Sequence, residues 1–304
     1  MIYDLIIIGG GIAGLSAAIQ TNRFNLKALV LTKKIGGVIR NTHIVENYPG
    51  IKNISGESLS NLFIEHAKSV NVKIVEEFAT DLYLQGKLFY VKSNKSNYKG
   101  HSVIYATGGR TRRLGLFDEN RFVNKGLYYS HLYDNNLLND KVFGVVGGSD
   151  SAVREAIFLS EYARKVYIIY RKDKLRAEPI SLEKIHKNKK IVIVNNAEVV
   201  ALNGGDFIES VDLNRKYKSS NKLQLDGLFI NIGFEPQIDL ASKVGVKLNG
   251  NNEIVINRQC ETNIKGLFAA GDCTDEKWKQ AITAASGGSI AVHSAYCFLK
   301  SSNS

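Results

Sequence analysis

An apolar run followed by a glycine-rich turn and an amphipathic segment opens the chain. Residues 3–8 are apolar at almost every position, which predicts a strand buried on both faces of a parallel sheet. The pattern then predicts a helix over Ile12–Gln20 and a second strand over Ala28–Leu31. A strand, turn, helix and strand in this order is the context that a dinucleotide-binding fingerprint requires.

The turn between the first strand and the helix reads GGGIAG over residues 9–14. Gly9 permits a tight turn, Gly11 lets a pyrophosphate approach the backbone, and Gly14 permits close packing of helix on strand. The helix N-terminus adds free N–H groups and a partial positive charge. We therefore predict a nucleotide site that includes Gly9, Gly11, Ile12, Ala13 and Gly14, although a glycine-rich turn without a ligand is the plain alternative.

The end of the second strand departs from the usual dinucleotide pattern. An acidic residue normally binds the ribose hydroxyls there, but this chain has Thr32-Lys33-Lys34. We expect backbone groups of the following segment to bind the ribose instead, and we add Gly36, Gly37 and Val38 to the predicted site.

The same arrangement occurs again 138 residues later. A strand is predicted over Lys141–Val146, a helix over Ser151–Ser160 and another strand over Lys165–Tyr170. The turn reads GGSDSA, so that serine replaces the middle glycine and could crowd a pyrophosphate. This second predicted nucleotide site includes Gly147, Gly148, Ser149, Asp150 and Ser151.

A basic segment follows the strand that ends at Tyr170. A ribose 2′-hydroxyl is best bound by a carboxylate at this point, whereas a 2′-phosphate is best bound by cations. Arg171, Lys172 and Arg176 therefore favour NADP(H) over NAD(H). NADH stays possible, and a solvated basic loop is the alternative interpretation.

Two strand-like segments that end in glycine flank the second nucleotide-binding unit. They cover residues 103–109 and 228–233, which suggests that the second unit is inserted into the first. We predict an α/β fold with two Rossmann-like three-layer nucleotide-binding domains. The first domain would comprise residues 1–109 and 238–304, and the inserted domain residues 110–237.

Composition narrows the class of protein further. Hydrophobic residues make up 44% of the 304 residues, enough for packed cores. Because the first strand begins within the first few residues, we expect no signal peptide, and no apolar run approaches the length of a membrane span. Because Cys260, Cys273 and Cys297 are widely spaced, we expect no metal site, no structural disulfide and a cytoplasmic location. We expect Cys273 and Cys297 to be buried small residues.

The chain is strongly basic, with a formal net charge of +11. Such a field attracts acidic partners and accelerates their encounter, although solvated lysines with no partner would give the same count. No helix-turn-helix, zinc finger or aromatic RNA-binding motif accompanies the charge, so nucleic acid is not the expected partner.

Several longer motifs together resemble the low-molecular-weight thioredoxin reductase family of flavoproteins. They are VENYPG at 45–50, ATG at 106–108, YRKDKLRA at 170–177, GLFAAGD at 266–272 and KQA at 279–281. The resemblance covers nearly the whole chain.

The resemblance implies that the first fingerprint binds FAD and that the inserted domain binds NADPH. Asp272 would bind the ribityl chain, and Asn47 and Tyr48 would lie near the isoalloxazine. The segment Lys279-Gln280-Ala281 would open a helix whose positive end faces the flavin pyrimidine. The other cofactor-binding residues expected at the domain crossings and near Asp272 are Thr107, Gly108, Ile232, Gly233 and Gly271. The resemblance also implies a homodimer.

One departure from the family bears on function. Members with disulfide reductase activity have a Cys-x-x-Cys-Asp motif just before the second fingerprint, and here residues 130–134 read SHLYD. Ser130 and Tyr133 cannot form a disulfide, so reduction of thioredoxin by the usual dithiol route is not expected. Asp134 is retained without an obvious role, and His131 is more typical of a packing or surface residue than of a proton carrier.

The leading hypothesis is therefore a ferredoxin–NADP⁺ reductase of the thioredoxin-reductase-like type. FAD carries the chemistry in that reaction, so we predict no catalytic acid or base, and the partner would be an acidic ferredoxin or a similar electron carrier. An NAD(P)H oxidase or diaphorase is the first alternative. A flavin-binding redox sensor with little turnover is the second, and an unconventional disulfide substrate is the third.

Overall fold

The computed structural model describes residues 1–70, 72–129 and 135–302. The chain divides into two compact units, one formed by Met1–Arg110 with Glu235–Ser304 and the other by Thr111–Phe234. The expected boundaries at 109/110 and 237/238 lie within a few residues of this division. We call these unit 1 and unit 2.

Unit 1 contains one seven-stranded sheet and four α-helices. Its strands are β1 (Ile2–Ile8), β2 (Ala28–Thr32), β3 (Lys73–Glu76), β4 (Ala79–Gln85), β5 (Leu88–Ser93), β6 (Asn97–Tyr105) and β17 (Leu267–Ala269). Its helices are α1 (Ile12–Thr21), α2 (Gly56–Ser69), α6 (Asp239–Lys243) and α7 (Ala281–Ser302).

The sheet of unit 1 runs in the order β3-β2-β1-β6-β5-β4, and β17 pairs with the C-terminal half of β6. β3, β2, β1, β6 and β17 are parallel, whereas β4 and β5 add an antiparallel meander. β1 is apolar on both faces because a separate hydrophobic cluster covers each face, with Leu5 and Ile7 on one side and Ile6 and Ile8 on the other.

Unit 2 contains a five-stranded parallel sheet, a three-stranded antiparallel sheet and three α-helices. Its strands are β8 (Leu127–Tyr128), β9 (Val142–Val146), β10 (Lys165–Tyr170), β11 (Ile191–Asn195), β12 (Val199–Asn203), β13 (Ser210–Tyr217), β14 (Ser220–Gln224) and β15 (Gly227–Ile230). Its helices are α3 (Glu119–Phe122), α4 (Asp150–Tyr162) and α5 (Pro179–Lys187).

The parallel sheet of unit 2 has the order β11-β10-β9-β15-β8, with the glycine-rich turn after its central strand. Counted from β9, the strands β11-β10-β9-β15 have the order 3-2-1-4 of a doubly wound nucleotide-binding fold, and β8, which precedes β9 in the chain, adds the edge strand beside β15. The chain passes between the units through β7 (Gly109–Thr111) and β16 (Phe234–Pro236), which pair as a two-stranded sheet.

The predicted fold class of two Rossmann-like domains is confirmed. The helix expected over Ile12–Gln20 ends one residue later, at Thr21, and the helix expected over Ser151–Ser160 is α4. Both glycine-rich turns stand between a strand and a helix, as the fingerprint requires. In the part of the chain that the structure describes, no helix is long and apolar enough to cross a membrane.

The expectation that Cys297 is buried was wrong. Its thiol is exposed on α7, one turn from exposed His293, whereas Ala291 and Ala295 on the opposite face are fully buried. Cys297 therefore lies on the solvent side of an amphipathic helix, a placement that depends on which face of α7 packs inward.

Close packing of α7 on α1 depends on small residues at their contact. A Cβ atom at Gly288 would lie 2.1 Å from the carbonyl oxygen of Ala13, and Ser16 donates a hydrogen bond of 2.6 Å to the carbonyl of Ala285. Gly287, one position earlier, has room: a Cβ there would lie 3.5 Å from the Cβ of Ala270. Only the second of these two adjacent glycines is required by packing.

The two glycines therefore predict opposite effects of the same substitution. Gly288→Ala should lower stability by roughly 1–3 kcal/mol because α7 must move away from α1. Gly287→Ala should raise stability by roughly 0.5–1 kcal/mol because alanine favours the helix. Thermal unfolding of the apoprotein, followed by far-UV circular dichroism, checks both. Equal shifts of the two variants in either direction would contradict this account of the contact.

Candidate nucleotide-binding sites

The first site lies at the carboxyl edge of the parallel strands of unit 1. Ile8 at the end of β1 is paired with Leu31 in β2 and with Tyr105 at the end of β6, and Tyr105 is paired with Ala269 at the end of β17. The loops after these four strands therefore start side by side. They contain most of the predicted flavin-site residues, and such an edge is where doubly wound folds bind nucleotides.

The glycine-rich turn 9–14 uses its glycines in two different ways. A Cβ at Gly9 would lie 2.1 Å from the oxygen of Ala106, and one at Gly14 would lie 1.9 Å from the oxygen of Gly9. These two glycines are needed for backbone packing. A Cβ at Gly11 would meet only the Cα of Gly37, at 3.7 Å, so the middle glycine borders open space.

The N-terminus of α1 is free to bind an anion. Gly11 is its N-cap and supplies no side-chain hydrogen bond, and the first turn contains no acidic residue. The leading N–H groups, at Ile12 and Ala13 among others, are therefore available to a phosphate.

The segment after β2 lies directly against this turn. The N–H of Gly36 donates a 2.7 Å hydrogen bond to the carbonyl of Gly10, and a Cβ at Gly37 would lie 2.7 Å from the Cα of Gly11. Val38 begins the next 3₁₀ turn and is exposed. This placement suits the expected binding of a ribose by backbone groups at 36–38.

Asp272 follows β17 at the same edge. The preceding residue, Gly271, has φ +80°, and a Cβ atom there would lie 3.0 Å from the Cβ of Ala13. No donor among the described residues makes a hydrogen bond to the Asp272 carboxylate. Burial raises its pKa, and the nearby Lys279 ammonium acts in the opposite direction. A half-buried carboxylate without a donor fits a ligand that carries hydroxyl groups, as the ribityl chain of FAD does.

The side chain of Lys279 binds groups of the protein itself. Its ammonium donates to the carbonyls of Asp272 and Thr274, both at 3.0 Å, and to the Glu253 carboxylate. These three bonds use all three N–H donors of a lysine. The Lys279 side chain thus holds the Asp272 turn in place, and the expectation that the segment Lys279-Gln280-Ala281 opens a helix facing the flavin stays a prediction.

Glu253 is itself held by Asn249, whose amide donates a 2.7 Å bond to the second carboxylate oxygen. Burial would raise the pKa of Glu253, but the hydrogen bonds from Lys279 and Asn249 outweigh it and place the pKa below its ordinary value. Glu253 and Lys279 are mostly buried, with side-chain exposures of 16% and 30%. Sequence analysis missed Glu253, because only the fold brings it to a lysine 26 residues away.

The remaining predicted residues of unit 1 are placed as follows. The Asn47 amide donates a 3.0 Å bond to Gln280 just before α7 begins at Ala281, so the two predicted residues meet. Tyr48 packs edge-on against Phe63. The Thr107 hydroxyl donates a 2.6 Å hydrogen bond to the carbonyl of Gln237 and so connects the two chain segments at the crossing. Gly108 has φ +65°.

The second site lies at the equivalent edge of unit 2. Val146 at the end of β9 is paired with Ile169 in β10 and with Ile230 in β15. A Cβ at Gly147 would lie 2.2 Å from the oxygen of Asn231, so this glycine is required by packing. Ser149 is the N-cap of α4 in extended conformation, and Ser151 lies in the first turn.

The Asp150 carboxylate, in the predicted second site, binds groups of the protein itself. Its carboxylate pairs with Arg154 at 2.6 Å and accepts a 3.2 Å bond from the N–H of Glu178. Arg154 also pairs with Glu178 at 3.2 Å. These contacts fasten the end of the basic segment 171–176 to α4.

Beyond β15, Ile232 packs against the core of unit 2, and Gly233 has φ +97°. The carbonyl of Gly233 accepts a 3.0 Å bond from the N–H of Arg112. Both residues therefore have a structural role where the chain leaves unit 2, in addition to the predicted role in cofactor binding.

The residues that replace the family dithiol, Ser130 and Tyr133, lie outside the described residues, as do His131 and Asp134. All three cysteines of the chain are free. Burial raises the pKa of Cys260 and of Cys273 to about 11. In the ranges described, no group of three or more His, Cys, Asp or Glu side chains could hold a metal ion.

Comparison with known proteins places this geometry in a family. The model for "Pyridine nucleotide-disulphide oxidoreductase" matches residues 3–288. The chain belongs to the pyridine nucleotide-disulphide oxidoreductase family. A 34.2 kDa protein in the rubredoxin operon of Clostridium pasteurianum is 39% identical, over 95% of this chain and 94% of the relative. The thioredoxin reductase of Mycoplasma genitalium is 36% identical, over 96% of this chain and 94% of the relative.

A solved structure of thioredoxin reductase from Lactococcus lactis superposes with a TM-score of 0.93 at 32% identity, covering 98% of this chain and 99% of that one. The chain is thus an FAD-dependent NAD(P)H oxidoreductase of the thioredoxin reductase type, and FAD and NADPH are the cofactors of that type. The open glycine-rich turn, the free N-terminus of α1 and the unbonded Asp272 carboxylate fit the first of these cofactors.

The Glu253–Lys279 pair can be tested against a matched turn. Asn257 bonds Glu261 with the same 2.7 Å side-chain bond that Asn249 makes to Glu253, but the ion pairs of the described residues include none at Glu261. Glu253→Gln should therefore lower the free energy of unfolding at pH 7 by roughly 1–3 kcal/mol, and Glu261→Gln by less than about 0.5 kcal/mol.

The effect should depend on pH. A carboxyl whose folded pKa is lowered stabilises the fold above its unfolded pKa, and this stabilisation is lost as the pH falls through the folded pKa. The difference in the free energy of unfolding between wild type and Glu253→Gln should have its full size near neutral pH and become smaller below about pH 4.5. Urea unfolding of the apoprotein at several pH values measures it, and a difference that grows toward acid would contradict the assignment.

Proposed function

We propose that this protein exchanges a hydride with NADPH and passes single electrons to or from an acidic iron–sulfur protein. This is ferredoxin–NADP⁺ reductase activity on a thioredoxin reductase fold. The observation that carries the proposal is the lack of a Cys-x-x-Cys pair, since Ser130 and Tyr133 stand where the resemblance places the two cysteines. The sequence therefore lacks the cysteine pair that would carry two electrons as a dithiol.

We assign the first site to FAD and the second to NADPH. Bound FAD supplies the conversion between two-electron hydride transfer and one-electron transfer. The chain's own task is to bind and orient: the N-terminus of α1 receives phosphate, Asp272 accepts a hydroxyl donor, and Lys279 keeps the Asp272 turn in place. No acidic or basic side chain needs to move a proton to the electron acceptor.

Charge supports an acidic protein partner. The net charge of +11 favours rapid encounter with an acidic carrier at low ionic strength. The relative from C. pasteurianum is named for the rubredoxin operon in which it is encoded, so a gene for a one-electron carrier accompanies it. The homodimer implied by the resemblance remains a prediction for the assembled enzyme.

An anaerobic assay tests the proposal. FAD-loaded protein is mixed with NADPH, a low-potential ferredoxin and cytochrome c, and cytochrome c reduction is followed with and without ferredoxin. We expect a strong ferredoxin-dependent rate that falls markedly between ~10 mM and ~0.5 M salt, because added ions screen the attraction. A rate that is indifferent to salt would contradict the proposed charge steering.

This anaerobic assay and a separate aerobic measurement of peroxide distinguish the alternatives. Flavin that is reduced by NADPH but passes nothing to ferredoxin would overturn the reductase proposal. Peroxide formed in air as fast as ferredoxin is reduced would favour an NAD(P)H oxidase. Flavin that is not reduced by NADPH at all would favour a redox sensor.

Restoring the dithiol provides the complementary test. The double variant Ser130→Cys/Tyr133→Cys recreates the family spacing and should gain NADPH-dependent reduction of a small aromatic disulfide, with two electrons and two protons giving two thiols. Wild type and each single variant should lack this activity. Disulfide reduction by wild type at the rate of the double variant would show that a dithiol is not needed.

A further inference from the structure

Tyr170 connects the two parts of the second site. It is the last residue of β10, is only 5% exposed, and stands immediately before the basic segment 171–176. Its ring packs on the glycine-rich turn: a Cβ at Gly148 would lie 2.4–2.5 Å from three ring atoms of Tyr170. The space that a side chain would take at the second glycine is thus filled by this ring.

The hydroxyl of Tyr170 reaches the basic segment. The Arg176 Nε–H donates a 3.1 Å hydrogen bond to the Tyr170 oxygen, and the backbone N–H of Arg176 donates a 2.6 Å bond to the carbonyl of Gly148. Arg176 and Ser149 also form an isolated β-bridge. Both the backbone and the guanidinium of Arg176 are therefore fixed beside the turn that would bind the pyrophosphate.

The other cations of the segment are held less firmly. Arg171, Lys172 and Arg176 are all exposed, but within the described ranges only Arg176 among these three makes a side-chain hydrogen bond. Arg176 uses one of its five N–H donors on Tyr170, which leaves both terminal nitrogens for a ligand. A guanidinium whose orientation is already set loses less entropy when it binds a phosphate in a forked arrangement.

We propose that Tyr170 is a specificity-determining residue for NADPH: its hydroxyl positions the Arg176 guanidinium for the 2′-phosphate. The inference concerns the nicotinamide cofactor alone and does not depend on which electron acceptor is used. Tyr170 need not touch the cofactor, since its effect is transmitted through Arg176.

Binding of two nucleotide fragments tests this without turnover. Titration calorimetry on FAD-loaded protein compares 2′,5′-ADP, which contains the 2′-phosphate, with 5′-ADP, which lacks it. Tyr170→Phe keeps the ring against Gly148 and removes only the hydroxyl. It should weaken 2′,5′-ADP roughly three- to tenfold and change 5′-ADP by less than about twofold, since a hydrogen bond to a charged group is lost.

Two further variants sharpen the result. Tyr167→Phe removes a phenol hydroxyl from the same strand, where the ring packs against Tyr217 instead of the glycine-rich turn, and it should leave both ligands unchanged. Arg176→Ala should weaken 2′,5′-ADP more than Tyr170→Phe does. Adding Tyr170→Phe to Arg176→Ala should then cost nothing more, because the hydroxyl acts through the guanidinium.

Steady-state kinetics gives the matching prediction for the whole cofactor. Tyr170→Phe should raise KM for NADPH with little change in kcat and should leave KM for NADH unaltered. Equal loss for both ADP fragments would overturn the proposal, because it would mean that Tyr170 acts only by packing on Gly148. Unchanged binding of 2′,5′-ADP would overturn it as well.

Discussion

Unit 1 depends on backbone segments that approach each other more closely than any side chain allows. Gly9 lies against Ala106, Gly14 against Gly9, and Gly288 against Ala13, and in each case a single Cβ would fall about 2 Å from a carbonyl oxygen. These contacts bring the N-terminus of α1 to the carboxyl edge of the sheet. They also bring the start of α7 and the Asp272 turn to the same place, so one steric constraint assembles the free N–H groups and the unbonded carboxylate.

Unit 2 meets the same constraint in another way. Gly147 is required by its contact with Asn231, but the space at Gly148 is filled by the ring of Tyr170. The ring packs against the glycine-rich turn, and its hydroxyl accepts a hydrogen bond from Arg176. One aromatic side chain thus connects the glycine-rich turn 147–152 with Arg176. Ser149 occupies the N-cap position of α4 in an extended conformation, and its side chain makes no capping hydrogen bond.

Local sequence pattern was sufficient for the fold class and for both glycine-rich turns, because strand, turn and helix are encoded within about 30 consecutive residues each. It failed where the outcome depended on distant contacts. Glu253 becomes important only because the fold brings Lys279 to it, and Cys297 is exposed because of the face that α7 turns to α1. The bonds of the Lys279 ammonium to the carbonyls of Asp272 and Thr274 were not predicted either, since the sequence does not reveal which carbonyls surround an ammonium group.

The three cysteines also bear on the route by which electrons leave the protein. A dithiol acts as a thiolate nucleophile, and burial raises the pKa of Cys260 and of Cys273 to about 11, which disfavours the thiolate form of both at neutral pH. Both are also buried, so neither can meet a disulfide substrate. Cys297 is exposed but free, without a second thiol to complete a two-electron couple. Because Ser130 and Tyr133 stand where the resemblance places the family pair and the three cysteines are widely spaced, the sequence contains no Cys-x-x-Cys couple, and this is the argument for the proposed acceptor that takes electrons from the flavin itself.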